Sequence, residues 1–385
     1  MGDNQWVLIL VCMIAAIIVI VGAVVGIRIA LHKRRVETIK NERRRDAVHY
    51  AFVINPSKPT AGETRAFIER FCANRGIADI MFIETQLDKD GRACALEALE
   101  QGADVVIAVG GDGTVRTVAS AMGGTNHAMG IIPIGTGNLF ARNMNIPVGD
   151  LEAAMLIAIS HGSYKVDIGR LQLLDHPEED HAHAFLIIAG IGFDAVMIDD
   201  TDPKLKKNIS WLAYFVAGAK HLFAPKYHAS VVLTGANGDQ HVREDVEFRT
   251  FMSGNCGEIP VFSLMPDASF NDGLLDFEVI DTNGGIIGWM NLFGDVVHQT
   301  ITRKAQQSPL SVHSTIDQVQ GVSAELQLEK PVPAQVDGDM LKPTRHIRFS
   351  VDHNALIVRA PGQDAEMTGN LQPVRVDASG QPRLR

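Results

Sequence analysis

Cysteine is scarce in this sequence. Its 385 residues hold four, Cys12, Cys72, Cys94 and Cys256, with no CxxC pair and no metal-ligand spacing. That excludes a disulfide framework and a cysteine-built zinc site, and it fits reduced thiols in a cytosolic body. Net positive charge is missing too. The formal charge is −10 at pH 7, which counts against nucleic acid as the main partner, because phosphate backbones select basic surfaces. There is no GxxxxGK[ST] run, so the usual phosphate loop of that type is excluded, and no internal repeat is visible.

What is present is ordinary for a folded chain: 46% hydrophobic and 21% charged residues. The length suits one large or two medium domains. Trp6 to Ile27 carries no charged residue, and a membrane-spanning helix needs about 20 apolar residues. A cleaved signal peptide is the competing reading, but MGDNQ has no positive charge and no clear small-residue cleavage site follows. Behind the run come Arg28, Lys33, Arg34, Arg35, Lys40, Arg43, Arg44 and Arg45. Positive charge stays on the cytoplasmic side. The expectation is a single-pass anchor in the cell membrane over 1–46, with the rest cytoplasmic and the basic segment against anionic headgroups.

From Val48 the pattern alternates strand and helix. Strands are expected at His49–Asn55, Asp79–Thr85, Asp104–Val109 and Met129–Gly135. Helices are expected at Thr64–Gly76, Gly91–Gly102 and Thr114–Met122, the first two closed by glycine. Apolar strands alternating with helices predict an α/β domain with a mostly parallel sheet over 47–161. Beyond it the runs "YKVDIGRLQLL", "AFLIIAGIGF", "HASVVLTG", "DVEFRTFMSG", "LLDFEVID", "VSAELQLE", "HIRFSVD" and "ALIVRAP" read as half-buried antiparallel strands. They predict an all-β domain, an antiparallel sandwich, over 162–362, interrupted by helices around Asn208–Phe223 and Ile286–Thr302. The tail 363–385, rich in Gly, Pro, Gln and Asp, reads as disordered.

Two adjacent strands end in glycine loops. The first is "AVGGDGTVRTV", Ala108 to Val118, and the second "PIGTGNLFARN", Pro133 to Asn143. Helix N-termini carry unsatisfied N–H groups that suit phosphate, and glycine lets backbone approach a ligand. One such loop is as well explained by a tight βα turn. Two at one edge of a sheet, where open α/β sheets bind ligands, suggest a nucleoside triphosphate held from both sides.

With "GGDGT" and "PIGTGN", and with "NP" at Asn55-Pro56, "GIGFDA" at Gly190–Ala195, "LKKNISWLAY" at Leu205–Tyr214, "NDGLLD" at Asn271–Asp276 and "VDGD" at Val336–Asp339, the chain resembles the lipid-kinase family of bacterial diacylglycerol kinases, sphingosine kinases and ceramide kinases. The resemblance runs from about Tyr50 to Ala360. It implies an α/β nucleotide domain, like that of phosphofructokinase and NAD kinase, and a β-sandwich domain with the active site between them. It implies ATP and Mg²⁺ as cofactors, a membrane lipid as acceptor and, since members often dimerise, a homodimer. Asn55, Thr85, Gly110, Gly111, Asp112, Gly113, Thr114, Gly135, Thr136 and Asn138 would line the ATP site. Asp112 would organise metal and phosphates. Asp339 would be the catalytic base, where the family more often has glutamate in a DGE motif. Asp194 would face the acceptor headgroup and Lys206 the phosphates. Asp272, with carbonyls of Ser269 and Leu274, would form an accessory Mg²⁺ site.

Read by themselves, Asp337-Gly338-Asp339 is a turn between strands and "NDGLLD" a hairpin turn. The stretch Gly190 to Ala195 also matches GxGxxA, a weak dinucleotide pattern. "DHPEEDHAH", Asp175 to His183, reads as a solvated loop in which His181 and His183 could take a metal adventitiously. Two departures from the family pattern stand out. Arg116-Thr117 replaces the usual Asn-Glu, and "NPSKPTAG" replaces "NPxSG", where Lys58 is a candidate phosphate contact. The acceptor expected first is diacylglycerol. A sphingoid base or other lipid, a soluble acceptor such as NAD, and an inactive nucleotide sensor remain as alternatives.

Overall fold

The computed structural model describes residues 48–361 except 161, 180, 193–225, 257, 260–261, 264, 266–267 and 283–313. The membrane span expected over 6–27, the basic segment after it, the helices expected around 208–223 and 286–302, and the tail lie outside the described residues. Among the described residues no helix is long and apolar enough to cross a membrane.

The first half alternates as β1 (Tyr50–Ile54), α1 (Ala61–Arg75), β2 (Ile80–Glu84), α2 (Gly91–Glu100), β3 (Val105–Gly110), α3 (Asp112–Met122), β4 (Ala128–Pro133), α4 (Leu139–Asn143) and α5 (Leu151–Ala158). β2, β1, β3 and β4 lie side by side in that order, all parallel. β1, β3 and β4 are buried at every residue. That is why they read as unbroken apolar runs rather than alternating ones. Gly76, with φ 69°, closes α1 in the left-handed conformation, and Asp90 and Asp150 cap α2 and α5 through the amides of Ala93 and Ala153. The strand order reverses between β1 and β3, so a crevice opens beyond their carboxyl ends.

The second half is built of β5 (Ser163–Leu173), β6 (His183–Phe185), β7 (Ile188–Gly192), β8 (Tyr227–Thr234), β9 (Gln240–Phe248), β10 (Thr250–Gly254), β11 (Glu258–Ile259), β12 (Phe262–Ser263), β13 (Leu275–Thr282), β14 (Ser314–Gly321), β15 (Ser323–Val336) and β16 (Asp339–Arg359). The pairs among them are antiparallel. They share one apolar core around Phe185, Phe248, Phe251, Phe277 and Phe349. The Phe251 ring centroid lies 5.7 Å from that of Phe349 and 6.0 Å from that of Phe277. Each such side chain contributes roughly 1.5–3 kcal/mol by burial. β16 also runs parallel to β4, with Ile357 opposite Ala128 and Val358 opposite Met129. The two halves therefore form one mixed, hydrogen-bonded α/β sheet.

Local departures from the sequence pattern have local causes. The helix after the first glycine loop starts at Asp112, not Thr114, because Gly111 alone makes the turn, in extended backbone. The run "AFLIIAGIGF" holds two strands, because the amides of Leu186 and Ile187 leave the ladder to bind Asp337. "HIRFSVD" and "ALIVRAP" are one strand, β16, which shifts register between Asp352 and Leu356, where His353 and the amide of Asn354 reach buried Asp167. α4 and α5 are not announced by periodicity, since short apolar runs such as "LEAAMLIA" suit helix and strand alike. Gly190 and Gly192 lie inside β7, which is paired on both sides. They do not form the strand-to-helix turn that a dinucleotide pattern needs.

On β13, Glu278 is 1% exposed and its Oε2 has no hydrogen-bond partner. Burial, and then the neighbouring Asp276 charge, push its carboxyl up to about 8. The folded chain thus holds a proton there that the unfolded chain releases near pH 4.5, so stability falls as pH rises from about 4.5 to about 8. Replacing Glu278 with Gln is expected to flatten that part of the pH–stability curve and to raise the denaturation midpoint at pH 8, as measured by urea titration at several pH values.

Candidate active site

Three loops meet at the crevice. After β1, Asn55 bridges to the first glycine loop: its Nδ2 donates to Thr114 Oγ1 at 3.2 Å. Its Oδ1 accepts from the Ser57 amide and hydroxyl at 3.0 and 2.6 Å. After β3 comes Gly110 to Gly113, and after β4 the loop from Ile134 to Asn138. The two glycine loops touch backbone to backbone. A Cβ on Gly135 would stand 2.5 Å from the Gly111 Cα, and one on Gly111 would stand 3.2 Å from the Gly135 Cα. A Cβ on Gly110 would strike the Thr114 side chain. Lys58 reaches the same place, its Nζ 3.7 Å from where a Gly111 Cβ would be. An ammonium group, glycine backbone and the N-terminus of the eleven-residue α3 converge here, a donor set that fits a triphosphate.

Asp112 answers why a carboxylate sits among glycines. Its Oδ1 accepts from the amides of Leu139 and Phe140 at 2.6 and 3.4 Å, so it ties the first loop to the start of α4. Its Oδ2 packs where a Gly137 side chain would be, 2.8 Å from that Cβ position. Burial pushes its carboxyl upward, and the amides of Leu139, Phe140 and Asn138 oppose the shift. Asn138 is turned inward and buried. Its Oδ1 accepts from the Gly135 amide at 3.0 Å and its Nδ2 donates to the Gly135 carbonyl at 2.7 Å. Thr114 is buried as well, whereas Thr136 is exposed. Thr85 follows β2, its amide bonded to the Ile54 carbonyl at 2.9 Å.

Asp339 arrives from the other half. β15 and β16 form a hairpin in which Val336 pairs with Asp339. The intervening Asp337 and Gly338 both take positive φ, 46° and 88°, the turn geometry that Asp-Gly favours. The turn brings Asp339 to α3. Its Oδ2 lies 3.4 Å from where a Gly113 Cβ would be and accepts from Arg116 Nη2 at 2.5 Å. Below it, half-buried Asp337 accepts from the amides of Leu186, Ile187 and Ile188 at 2.8, 3.0 and 2.9 Å. Burial still pushes its carboxyl up to about 6, against those amides and the Arg116 charge. Of the Arg116-Thr117 pair, Arg116 faces Asp339. Thr117 packs on α2, where a Cβ on Gly91 would lie 2.3 Å from its Oγ1.

The loop of "NDGLLD" is organised by a residue that sequence patterns do not single out. Asp167, wholly buried, accepts from the Gly273 amide at 2.7 Å, from His353 Nδ1 at 2.9 Å and from the Asn354 amide at 2.6 Å. It donates its own amide to the Phe270 carbonyl at 2.7 Å. Asp272 accepts from the Leu274 amide at 3.0 Å, and burial raises its carboxyl, with the Asp167 charge adding. The oxygens of Asp167 are committed, so a cation would rest on Asp272 and main-chain oxygens. That is a hard-oxygen set suited to Mg²⁺ or Ca²⁺. Among the described residues no group of three or more His, Cys, Asp and Glu could hold a metal ion. His181 and His183 lie near each other, ring centroids 6.1 Å apart, and His183 pairs with Glu179 at 2.6 Å. Asp194 and Lys206 lie outside the described residues.

The arrangement is that of an α/β fold with a carboxylate brought over its glycine loop, and solved structures share the fold. A crystal structure of a diacylglycerol kinase from Bacillus anthracis matches at a TM-score of 0.61, 19% identical, over 82% of this chain and 98% of that one. Residues 49–171 match the diacylglycerol kinase catalytic domain. A protein of Xanthomonas euvesicatoria named "Probable lipid kinase YegS-like" is 28% identical over 290 residues, 72% of this chain and 85% of that protein. A diacylglycerol kinase of Bacillus subtilis is 30% identical over 193 residues, 50% of this chain and 59% of that protein. The chain is thus similar to members of the lipid-kinase family that the sequence motifs suggest.

Two substitutions test this geometry. Gly135→Ala forces the glycine loops apart. At about 1–3 kcal/mol for such overpacking, calorimetry with ATP should show affinity lowered by about tenfold or more. Asp337→Ala strands three amides, those of buried Leu186 and Ile187 costing about 1–3 kcal/mol each, and should lower stability by about 3 kcal/mol in denaturant titration.

Proposed function

We propose that this chain transfers the terminal phosphate of ATP to a lipid hydroxyl at the cytoplasmic face of a membrane, and that the lipid is diacylglycerol. The observation that carries the reading is the place of Asp339, a half-exposed carboxylate over the first turn of α3, 3.4 Å from the Gly113 Cβ position. The diacylglycerol kinase of Bacillus subtilis among its relatives supports that acceptor, and the uncharged run from Trp6 to Ile27 supports a membrane location.

In this reading the glycine loops and Lys58 hold the phosphates, with Asn55, Thr85 and Thr136 around the nucleotide. Asp339 accepts the proton of the acceptor hydroxyl as its oxygen bonds to the γ-phosphorus. The bond to the β,γ-bridging oxygen breaks, and ADP leaves. Asp112 would hold a catalytic Mg²⁺, and Asp272, with the carbonyls of Ser269 and Leu274, an accessory one; bound there, the cation neutralises phosphate charge. Asp194 would meet the acceptor headgroup and Lys206 the phosphates.

The test is transfer of labelled phosphate from ATP, with Mg²⁺, to diacylglycerol, sphingosine, ceramide and NAD in mixed micelles. Diacylglycerol should be phosphorylated. Asp339→Asn should lower kcat by about 10²–10⁴-fold with little change in KM for ATP. Lys58→Ala should raise KM for ATP by about tenfold, in line with the loss of one charge-assisted hydrogen bond. Transfer to sphingosine or NAD alone reassigns the acceptor. ATP binding with no transfer makes the chain a nucleotide sensor.

A further inference from the structure

The family pattern has Asn where this chain has Arg116 and Glu where it has Asp339. The two departures lie 223 residues apart and meet in space, Arg116 Nη2 to Asp339 Oδ2 at 2.5 Å. We propose that they are a single compensating exchange, in which Arg116 is the positioning residue that draws the shorter carboxylate of Asp339 over the phosphate loop. The inference rests on the kinase reading above.

Aspartate is one methylene shorter than glutamate, so at the same backbone position its carboxylate falls short. Arg116 makes up the reach from the other side. It projects from α3, the helix that opens at the glycine loop, and so ties the carboxylate to the element that would hold the phosphates. Exposed ion pairs of this kind contribute little, but this one is asymmetric. The Arg116 side chain is 12% exposed while that of Asp339 is 56% exposed. Arg116 Nε is buried without a hydrogen-bond partner, so the guanidinium is fixed by packing rather than by solvent. The turn beneath is fixed as well, by the three amides on Asp337 and by the Gly338 amide, which donates to Gln335 Oε1 at 3.0 Å. A fixed guanidinium and a fixed turn leave Asp339 little freedom. Arg116 engages Oδ2 and leaves Oδ1 to accept the proton. Asparagine at position 116 would offer neither the reach nor the charge.

The experiment is a cycle of Arg116→Asn, Asp339→Glu and the double substitution in the full chain. kcat and KM for ATP are measured with the acceptor that the panel identifies. Arg116→Asn is expected to lower kcat by about 10²-fold, the scale of an ångström of misplacement, with KM for ATP nearly unchanged. The double substitution, which restores the family pair, is expected to recover most of that loss, so the effects are not additive. Arg116→Lys keeps the charge without the planar fork and should fall between; it also serves if Arg116→Asn does not fold, as judged by circular dichroism. Additive effects in an active enzyme, or a rise in KM for ATP without a fall in kcat, would overturn the role of Arg116 while leaving the kinase reading intact. A wild-type chain inert towards every acceptor would overturn the kinase reading and this role with it.

Discussion

The main-chain pairing of β16 is the constraint on which the rest depends. This one strand pairs with β15 and β5 in the antiparallel half and with β4 in the parallel half. Its first residue is Asp339, beside α3, and its last turns pair next to the start of β4. The position of the carboxylate relative to the glycine loop is thereby set by hydrogen-bonded backbone, not by the chance meeting of two surfaces. Strand-borne groups are held more closely than loop-borne ones, and here the carboxylate is strand-borne while the glycine-loop backbone sits at strand ends.

Around that frame the site is held by carboxylates acting on amides. Asp112 joins the two glycine loops through Leu139 and Phe140. Asp337 fixes the hairpin through Leu186, Ile187 and Ile188. Asp167 fixes the 270–274 loop and the shift in β16. Charge-assisted bonds of this kind are roughly twice as strong as neutral ones, which offsets part of the cost of burying these carboxylates. These three aspartates, of which only Asp112 stood out in the sequence as a candidate for chemistry, thus spend much of their capacity on shape.

The parallel half was legible because strands buried on both faces must be apolar throughout, as "YAFVI", "VVIAVG" and "AMGIIP" are. The glycine loops were legible for a related reason: backbone pressed against backbone at Gly111 and Gly135 admits no side chain. Other features were not. Asp337 reads as half of an Asp-Gly turn, which it is. Nothing local reveals that its carboxylate binds amides about 150 residues away. Asn138 reads as a ligand-facing residue of its loop, yet it closes the loop on Gly135 from within. Arg116 is visible only as a departure from a pattern, and its meaning lies in a contact with the far end of the chain. Asp167 and His353 carry no motif at all. Sequence reports periodicity and local turn chemistry well. It does not report which buried polar group satisfies which distant amide.

The single sheet also bears on motion. Many kinases close by rotating one lobe against another about a few backbone residues that absorb the change in φ and ψ. Here β16, bonded on one edge to β4 and on another to β5, spans the line along which such a rotation would run. Turning one half against the other would break the ladder where Ile357 and Val358 lie against β4. The sheet itself therefore works as a rigid bed beneath the crevice.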